Sequence, residues 1–350
     1  MKTWRFEALD SLFFRGAKPF NSGEGGFLDS QFPPTAQTLA GVMRSSIAET
    51  RGVDWHRFHH DQQPDIAALI GKNANDPGAL RFAGPRLIKK DVRLYPLPLH
   101  LLYSYKSEKW GKLQPAKEND ALQTDMGKKR LPDAVEKAEG AKPLENAWLD
   151  EAAFEKVLQG EYPESFYREE DLFVAESRTG IGRDNHKRQA EPGLLYFTKH
   201  IRLKEGISLV MDVEGADDVM PAKMLRLGGE GRMAHVCVTD TVDSRLRGND
   251  GKGNTAMIVL LTHGDFGGRA EPEFEGIDIV SACTGKAVRE GGWDYKRRRP
   301  KPLKSLVPAG SVYFVKEKEK DAIAKLDAHI GNRTAFGYGE IAVGKWEDKQ

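Results

Sequence analysis

The sequence predicts an α+β protein built from two ferredoxin-like βαββαβ domains with long loop insertions. Three observations predict it. The chain opens on a strand, a basic glycine loop and a helix. It closes on a strand, a helix and a strand, and a run of β-rich segments lies between the two ends. A length of 350 residues is itself a prior for two domains. The boundary is placed after residue 190, giving an N-terminal domain 1–190 and a C-terminal domain 191–350.

Each element has a local reason. Thr3 to Phe14 is rich in aromatic and aliphatic residues and reads as a strand, followed by the loop "RGAKPFNSGEGGF". After Pro33 and Pro34, residues Leu39, Val42, Met43 and Ile47 fall at helical spacing, and Gly52 supplies the stop. From Lys106 to Asn146 the chain is rich in Lys, Glu, Asp, Gln and Gly with few large apolar residues, so it reads as a long exposed charged insertion. From about Asp150, Phe154, Val157 and Leu158 mark a helix face that Gly160 ends. "LLYFTKHIRL", "GISLVMDVEG", "MAHVCVTD" and "TAMIVLLT" read as strands. The last two are separated by Thr241 to Asn254, a stretch of turn formers and charge that reads as an inserted surface loop and resembles a translated bacterial intergenic repeat. At the C-terminus "SVYFVKE" is a strand. "KDAIAKLDAHI" is a helix with Ile323, Leu326 and Ile330 on one stripe and Gly331 after it. "GEIAVGKW" is a strand.

Composition narrows the function. Hydrophobic residues make up 39%, enough for real cores. Charged residues make up 30%, yet the net charge is +1, so an electrostatic partner must be read from local patches. Cys237 and Cys283 are the only cysteines, which gives neither a disulfide framework nor a four-cysteine zinc site. The first residues carry no apolar signal core, and no apolar run reaches membrane-spanning length. A cytoplasmic protein without a membrane partner is expected.

The enzyme-like motifs fail on context. Gly229 to Ala234 fits the G-x-G-x-x-G/A dinucleotide fingerprint, but that fingerprint needs a helix after its glycines, and the β-branched "HVCVTDTV" follows. Asp265-Phe266-Gly267 matches a kinase metal-binding triplet with no H-R-D tripeptide before it, so a turn after "TAMIVLLT" is the better reading. His56, His59 and His60 are spaced to share a helix face, as a metal pair or an acid–base group for RNA cleavage; an exposed amphipathic segment weighs against this. His235 and Cys237 alternate onto one strand face without further ligands. No cofactor, metal or catalytic residue is expected.

What remains is glycine with basic residues: Arg15, Lys18, "RTGIGRDNHKR", "LRLGGEGR" and "DYKRRRPKPLK". Glycine lets backbone N–H groups approach phosphates, and arginine forks clamp them. Phe13, Phe14, Phe20, Trp293 and Tyr295 lie near enough in sequence to stack bases.

In order along the chain, "LDSLFFRGAKPF", "FPPTAQTLAGVMR", "RTGIGRD", "LRLGGEGR" and "GGWDYKRRRPKPLKSLVPAGSVYF" resemble the third subunit of the type III-B CRISPR–Cas (Cmr) effector complex, a member of the RAMP superfamily. "FGYGE" resembles the C-terminal glycine loop of RAMP proteins. The resemblance spans Leu9 to Gly339 and implies two RRM-like (ferredoxin-like) domains. It implies a non-catalytic subunit that holds the repeat-derived 5′ tag of the CRISPR RNA. It also implies docking to the large polymerase-like subunit and contact with the adjacent backbone RAMP subunit.

Carried onto this chain, the tag-binding residues are Arg15, Lys18 and Phe20, with Arg44 if it faces their loop. Arg178, Gly180, Gly182 and Arg183 follow in a central loop, then Gly228, Gly229 and Arg232, then Gly337 and Gly339. The glycines would offer amides and close approach, and the arginines would neutralise phosphates or read base edges. Gly16 stands where the family often carries an acidic residue, and Lys296 to Lys304 is open between RNA contact and protein docking. The competing function is a metal-independent RAMP endoribonuclease that uses one of the three histidines.

Overall fold

A computed structural model describes residues 1–17, 27–124, 127–136, 138–184, 186–241, 253–294 and 299–348. The chain forms two compact units, each gathered from three stretches. Unit 1 comprises Met1–Lys90, Glu169–Thr241 and Arg289–Lys304, and unit 2 comprises Asp91–Arg168, Val242–Val288 and Ser305–Gln350. The units interleave along the chain, whereas the sequence reading put one boundary after residue 190.

In unit 1, strands Arg81–Lys89, Ile207–Glu214, Lys2–Ala8 and Met233–Asp240 lie side by side in that order, all antiparallel. Numbered by position in the chain, their spatial order is 4-1-3-2 read from the Met233 edge. The helix Ala36–Thr50 connects the first strand to the second. It buries Leu39, Ala40, Met43 and Ile47, a stripe at helical spacing. Gly52 ends it at φ 72°, a left-handed position that glycine takes without a Cβ penalty. Trp4, Phe6, Leu209, Met211 and Val213 are fully buried, and their register places them together on one face of the two central strands.

The first strand ends at Ala8, earlier than the aromatic run suggests. Leu12, Phe13 and Phe14 are buried in a looped segment after a bend at Leu9–Asp10, so Phe13 and Phe14 do not offer the base-stacking surface expected of them. Burial without a ladder explains why apolar composition alone misplaces the strand end.

Unit 2 repeats the order. Strands Ile277–Cys283, Val312–Glu317, Thr255–Leu260 and Ile341–Gly344 lie side by side, antiparallel, again 4-1-3-2 from the Ile341 edge. Ile258, Tyr313, Val315 and Ile323 fill one cluster; Met257, Val259, Phe314 and Trp346 fill another with Phe154 and Leu158. The helix Glu151–Leu158 supplies those last two. Asp150 caps it by accepting from the Ala153 N–H at 2.9 Å.

Two expectations are corrected here. "KDAIAKLDAHI" forms turns and no helix. Asp321, the second residue of the stretch, sits at φ 61°, a left-handed conformation that interrupts a helical run, and the Lys318 and Glu319 amides just before it donate to Gly276 O at 2.8 and 3.1 Å. Ile323 and Ile330 are buried all the same, so the apolar stripe was real and its period misleading. The span 106–146 carries strands. Lys109–Pro115 pairs with Leu101–Ser104 and with Pro132–Glu136, and Trp110 packs with Tyr103 and Phe166.

His100 of unit 2 is fully buried edge-on to Phe314. Burial, with repulsion from Lys112, pushes its imidazole down to about 3 from 6.5. Between those values the unfolded chain binds the extra proton, so stability is present above pH 6.5 and falls as pH falls toward 3. The expected slope is at most about 1.4 kcal/mol per pH unit. Thermal melting of His100→Leu from pH 7 to 4 should show a shallower acid loss than the unaltered chain; parallel profiles would contradict this.

Candidate nucleic-acid interface

The "RTGIGRD" stretch lies in a strand, not in a loop. Phe173–Asp184 pairs with Gln189–Leu203 in a long antiparallel hairpin of unit 1. Its glycines have structural work. Gly180 faces Tyr196, whose ring lies where a Cβ would stand, 2.2 Å from Cζ. The register shifts between Ile181 and Arg183, placing Gly182 at a β-bulge. Arg183 is exposed near the hairpin end.

"LRLGGEGR" is a hairpin turn between Met224–Arg226 and Met233–Asp240. A strand follows it, so the dinucleotide reading fails, as expected. Gly228, Glu230 and Gly231 all have positive φ, and a Cβ on Gly228 would meet Phe13 O at 2.4 Å. The Gly229 amide donates to Phe13 O at 2.7 Å, so it is already used inside the fold.

Backbone bonds bring these elements together. Leu12 exchanges hydrogen bonds with Ile201 at 2.7 and 2.8 Å, and the Leu9 N–H donates to Met233 O at 3.2 Å. The bend between them carries Asp10. Three guanidiniums meet there. Arg178 reaches Asp10 Oδ2 at 3.2 Å, Arg232 reaches the same oxygen at 2.9 Å, and Arg202 reaches Oδ1 at 2.8 Å. Arg202 also pairs with Glu176, both bonds 3.1 Å, and Glu230 lies 3.9 Å from Arg232.

The electrostatics follow from this geometry. The Ser11 backbone N–H, then Arg202 and Arg178, pull the Asp10 carboxyl down to about 2. Arg202 likewise holds Glu176 low, and Glu176 with Asp10 raises Arg202. Beneath the cluster lies His200, whose Nε2 is 2.9 Å from Glu230 and whose Nδ1 is 3.2 Å from Ser11 Oγ. Its ring stacks on Phe13 at 5.1 Å. Burial lowers the His200 pKa, with Glu230 opposing. This has the order of a hydrolase triad, but Ser11 is 1% exposed and His200 0%, so both side chains are closed to solvent.

Arg15, Lys18, Phe20, Arg44, Gly337 and Gly339 complete the set expected to bind the tag. Arg15 is exposed on an isolated bridge to Ser30. Lys18 and Phe20, like Tyr295, lie outside the described residues. Arg44 does not turn to the loop that carries Arg15. Its guanidinium donates to Ile70 O, Asn73 O and Asp76 O at 2.5, 2.8 and 2.7 Å, and burial lowers its pKa. Gly337 and Gly339 belong to unit 2. Their amides donate to Thr334 O at 2.8 Å and His263 O at 2.9 Å. Of the segment Lys296 to Lys304, residues 299–304 are described, with Arg299–Pro300 in a short ribbon with Trp293–Asp294.

Other motifs also resolve. Asp265 forms a buried ion pair with Arg333 at 2.6 Å, and Arg333 lies over the Tyr338 ring at 4.0 Å. The three histidines lie on or beside the short exposed helix Trp55–His59, with His60 Nδ1 2.7 Å from His56 O. Among the described residues no group of three or more His, Cys, Asp or Glu has metal-binding geometry. No described helix is long and apolar enough to cross a membrane.

Sequence reasoning found Arg178, Arg232 and the glycine turn. It missed Asp10, Arg202, Glu176, Glu230 and His200. The signal was present as period two: Glu176 and Arg178 on one strand, His200 and Arg202 on the other, in register on one face.

Two strand-rich sheets of the same order, with few helices, define a protein of the α+β class. The chain belongs to the CRISPR-associated protein family Cas_Cmr3, whose model matches residues 4–346. Its fold is shared with a chain of the Type III-B Cmr-beta bound to cognate target RNA, at 15% identity and TM-score 0.53, covering 99% of each chain. A chain of the Type III-B Cmr-beta bound to cognate target RNA and AMPPnP shares it at 14% identity and TM-score 0.51, covering 89% of this chain and 86% of that one. No curated protein matches the sequence.

Proposed function

We propose that this chain is a non-catalytic RNA-binding subunit of the type III-B CRISPR–Cas effector complex in the cytoplasm. It holds the 5′ repeat-derived tag of the CRISPR RNA, docks the large polymerase-like subunit and contacts the adjacent backbone RAMP subunit. The family match supports membership of that system. The two 4-1-3-2 sheets support two ferredoxin-like, RRM-like units; in unit 1 the helix Ala36–Thr50 lies in the first crossover, and the short strand Met224–Arg226, paired with the fourth strand, lies in the second.

The observation that carries RNA binding is the meeting of Arg178, Arg202 and Arg232 at one partly exposed point. Forked guanidiniums from separate elements suit the oxygens of a phosphate. The glycines act by shaping the turn and the hairpin that aim these arginines. Arg15, exposed, and Arg183, near the hairpin end, extend the basic surface in our reading.

Incubation with labelled repeat RNA without metal tests this reading against the endoribonuclease. Binding that depends on the 5′ tag, with the RNA left intact, is the expected result. Cleavage abolished in a His56, His59 or His60→Ala variant would replace the proposal with the nuclease.

A further inference from the structure

The arginines assigned to RNA are already occupied. In the free chain Asp10, Glu176 and Glu230 face Arg178, Arg202 and Arg232, so the cluster is neutral as it stands. Asp10 is the member that all three arginines share. Its backbone is pinned on both sides, by Leu9 N–H to Met233 O at 3.2 Å and by Leu12 N–H to Ile201 O at 2.7 Å. Its side chain is 46% exposed. The carboxylate therefore can leave by a change of side-chain rotamer, with no strand or hairpin opening.

We propose that Asp10 is an internal phosphate surrogate: it holds the three guanidiniums converged in the free chain and is displaced when a phosphate of bound RNA takes its place. This rests on the RNA-binding reading above and adds to it a built-in competitor. Two of the arginine bonds fall on one carboxylate oxygen and the third on the other, and the non-bridging oxygens of a phosphodiester can accept from the same donors. Preorganisation is the gain, since long arginine side chains need not be ordered at the moment of binding. The cost is competition. A weak or misplaced anion does not displace a carboxylate held by three ion pairs, so the latch favours RNA whose neighbouring groups also engage the protein.

The latch makes removal of an acidic residue raise affinity in a particular way. In Asp10→Asn the cluster gains one net positive charge and the amide oxygen competes poorly for the guanidiniums. Tagged guide RNA should bind about tenfold tighter at low ionic strength, with a steeper loss of affinity on adding salt. Asp10→Ser, which removes the carboxylate and keeps a small polar side chain, should behave alike. The experiment is a salt series of RNA binding for the full chain, these two variants, Arg178→Ala and Arg232→Ala, each checked for folding by thermal melting. Tighter binding by both Asp10 variants, with weaker binding by the arginine variants, is the expected result. Unchanged or weaker binding by the Asp10 variants, with the arginine variants still weakened, would overturn the latch and leave the RNA reading standing. No change in any variant would overturn both. Failure of both Asp10 variants to fold would show a structural anchor and would also overturn the latch.

Discussion

Replacing Arg178 and Arg232 together by alanine should weaken binding of the tagged guide RNA by about a hundredfold at low ionic strength, about tenfold for each charge-assisted bond to phosphate that is removed. The two residues come from different elements, a hairpin strand and a hairpin turn, and meet 3.2 and 2.9 Å from the same Asp10 oxygen. Their removal therefore takes away one side of a shared anion position. Each phosphate neutralised on a single strand adds about 0.7 to the salt slope, so losing this one shared phosphate contact should lower the slope by about 0.7. The fold should tolerate the change, because the hairpins are held by backbone pairing and by buried Leu12 and Ile201. Arg51→Ala serves as the control. Its ion pair with Asp218, 2.7 Å, belongs to the same unit and lies outside the cluster, so affinity should not change. An unaltered salt slope in the double variant would show that the arginines are spent on Asp10, Glu176 and Glu230 alone.

Gly339→Ala should destabilise unit 2 by about 3 kcal/mol or more, a drop of about 10 °C in melting temperature. Gly339 sits at φ 66°, and a Cβ there would stand 1.9 Å from Ile330 O. Both polar groups of the residue are used: its N–H donates to His263 O at 2.9 Å, and its carbonyl accepts from Ile330 N–H at 2.8 Å. Nothing in this crossing can give way cheaply, because the obstacle is backbone. The resemblance assigned Gly339 to RNA. An alanine variant that melts normally but binds RNA weakly would restore that assignment; early melting would place the residue in the fold.

This difference shows what the sequence can carry. "FGYGE" and "LRLGGEGR" each signal a tight glycine turn, and both turns are present. Glycine does not say what approaches it. At Gly228 the neighbour is Phe13 O, supplied by distant chain, and at Gly339 it is Ile330 O, nine positions earlier. The helix Ala36–Thr50 was legible because Leu39, Met43 and Ile47 state one period and Gly52 states its end. "KDAIAKLDAHI" had the same stripe and failed, with Asp321 in the left-handed region and the Lys318 and Glu319 amides just before it bonded to Gly276. Long-range partners decide such cases.

The site divides the same way. Arg178 and Arg232 were legible from local glycine and charge. Asp10 was not, since its partners lie 168, 192 and 222 positions away in sequence. What joins them is the strand register and the Leu12 bridge, which no local pattern announces.

A guide-RNA phosphate seated at the Asp10 cluster is the centre of this account. Its most direct measurement is photocrosslinking of a guide RNA with a photoreactive base in the 5′ tag, followed by mapping of the attached peptides. Attachment within Gly228–Arg232 or on the Phe173–Asp184 strand, abolished in the Arg178→Ala/Arg232→Ala double variant, is the predicted result. Attachment confined to other segments, unchanged by that double variant, would contradict it.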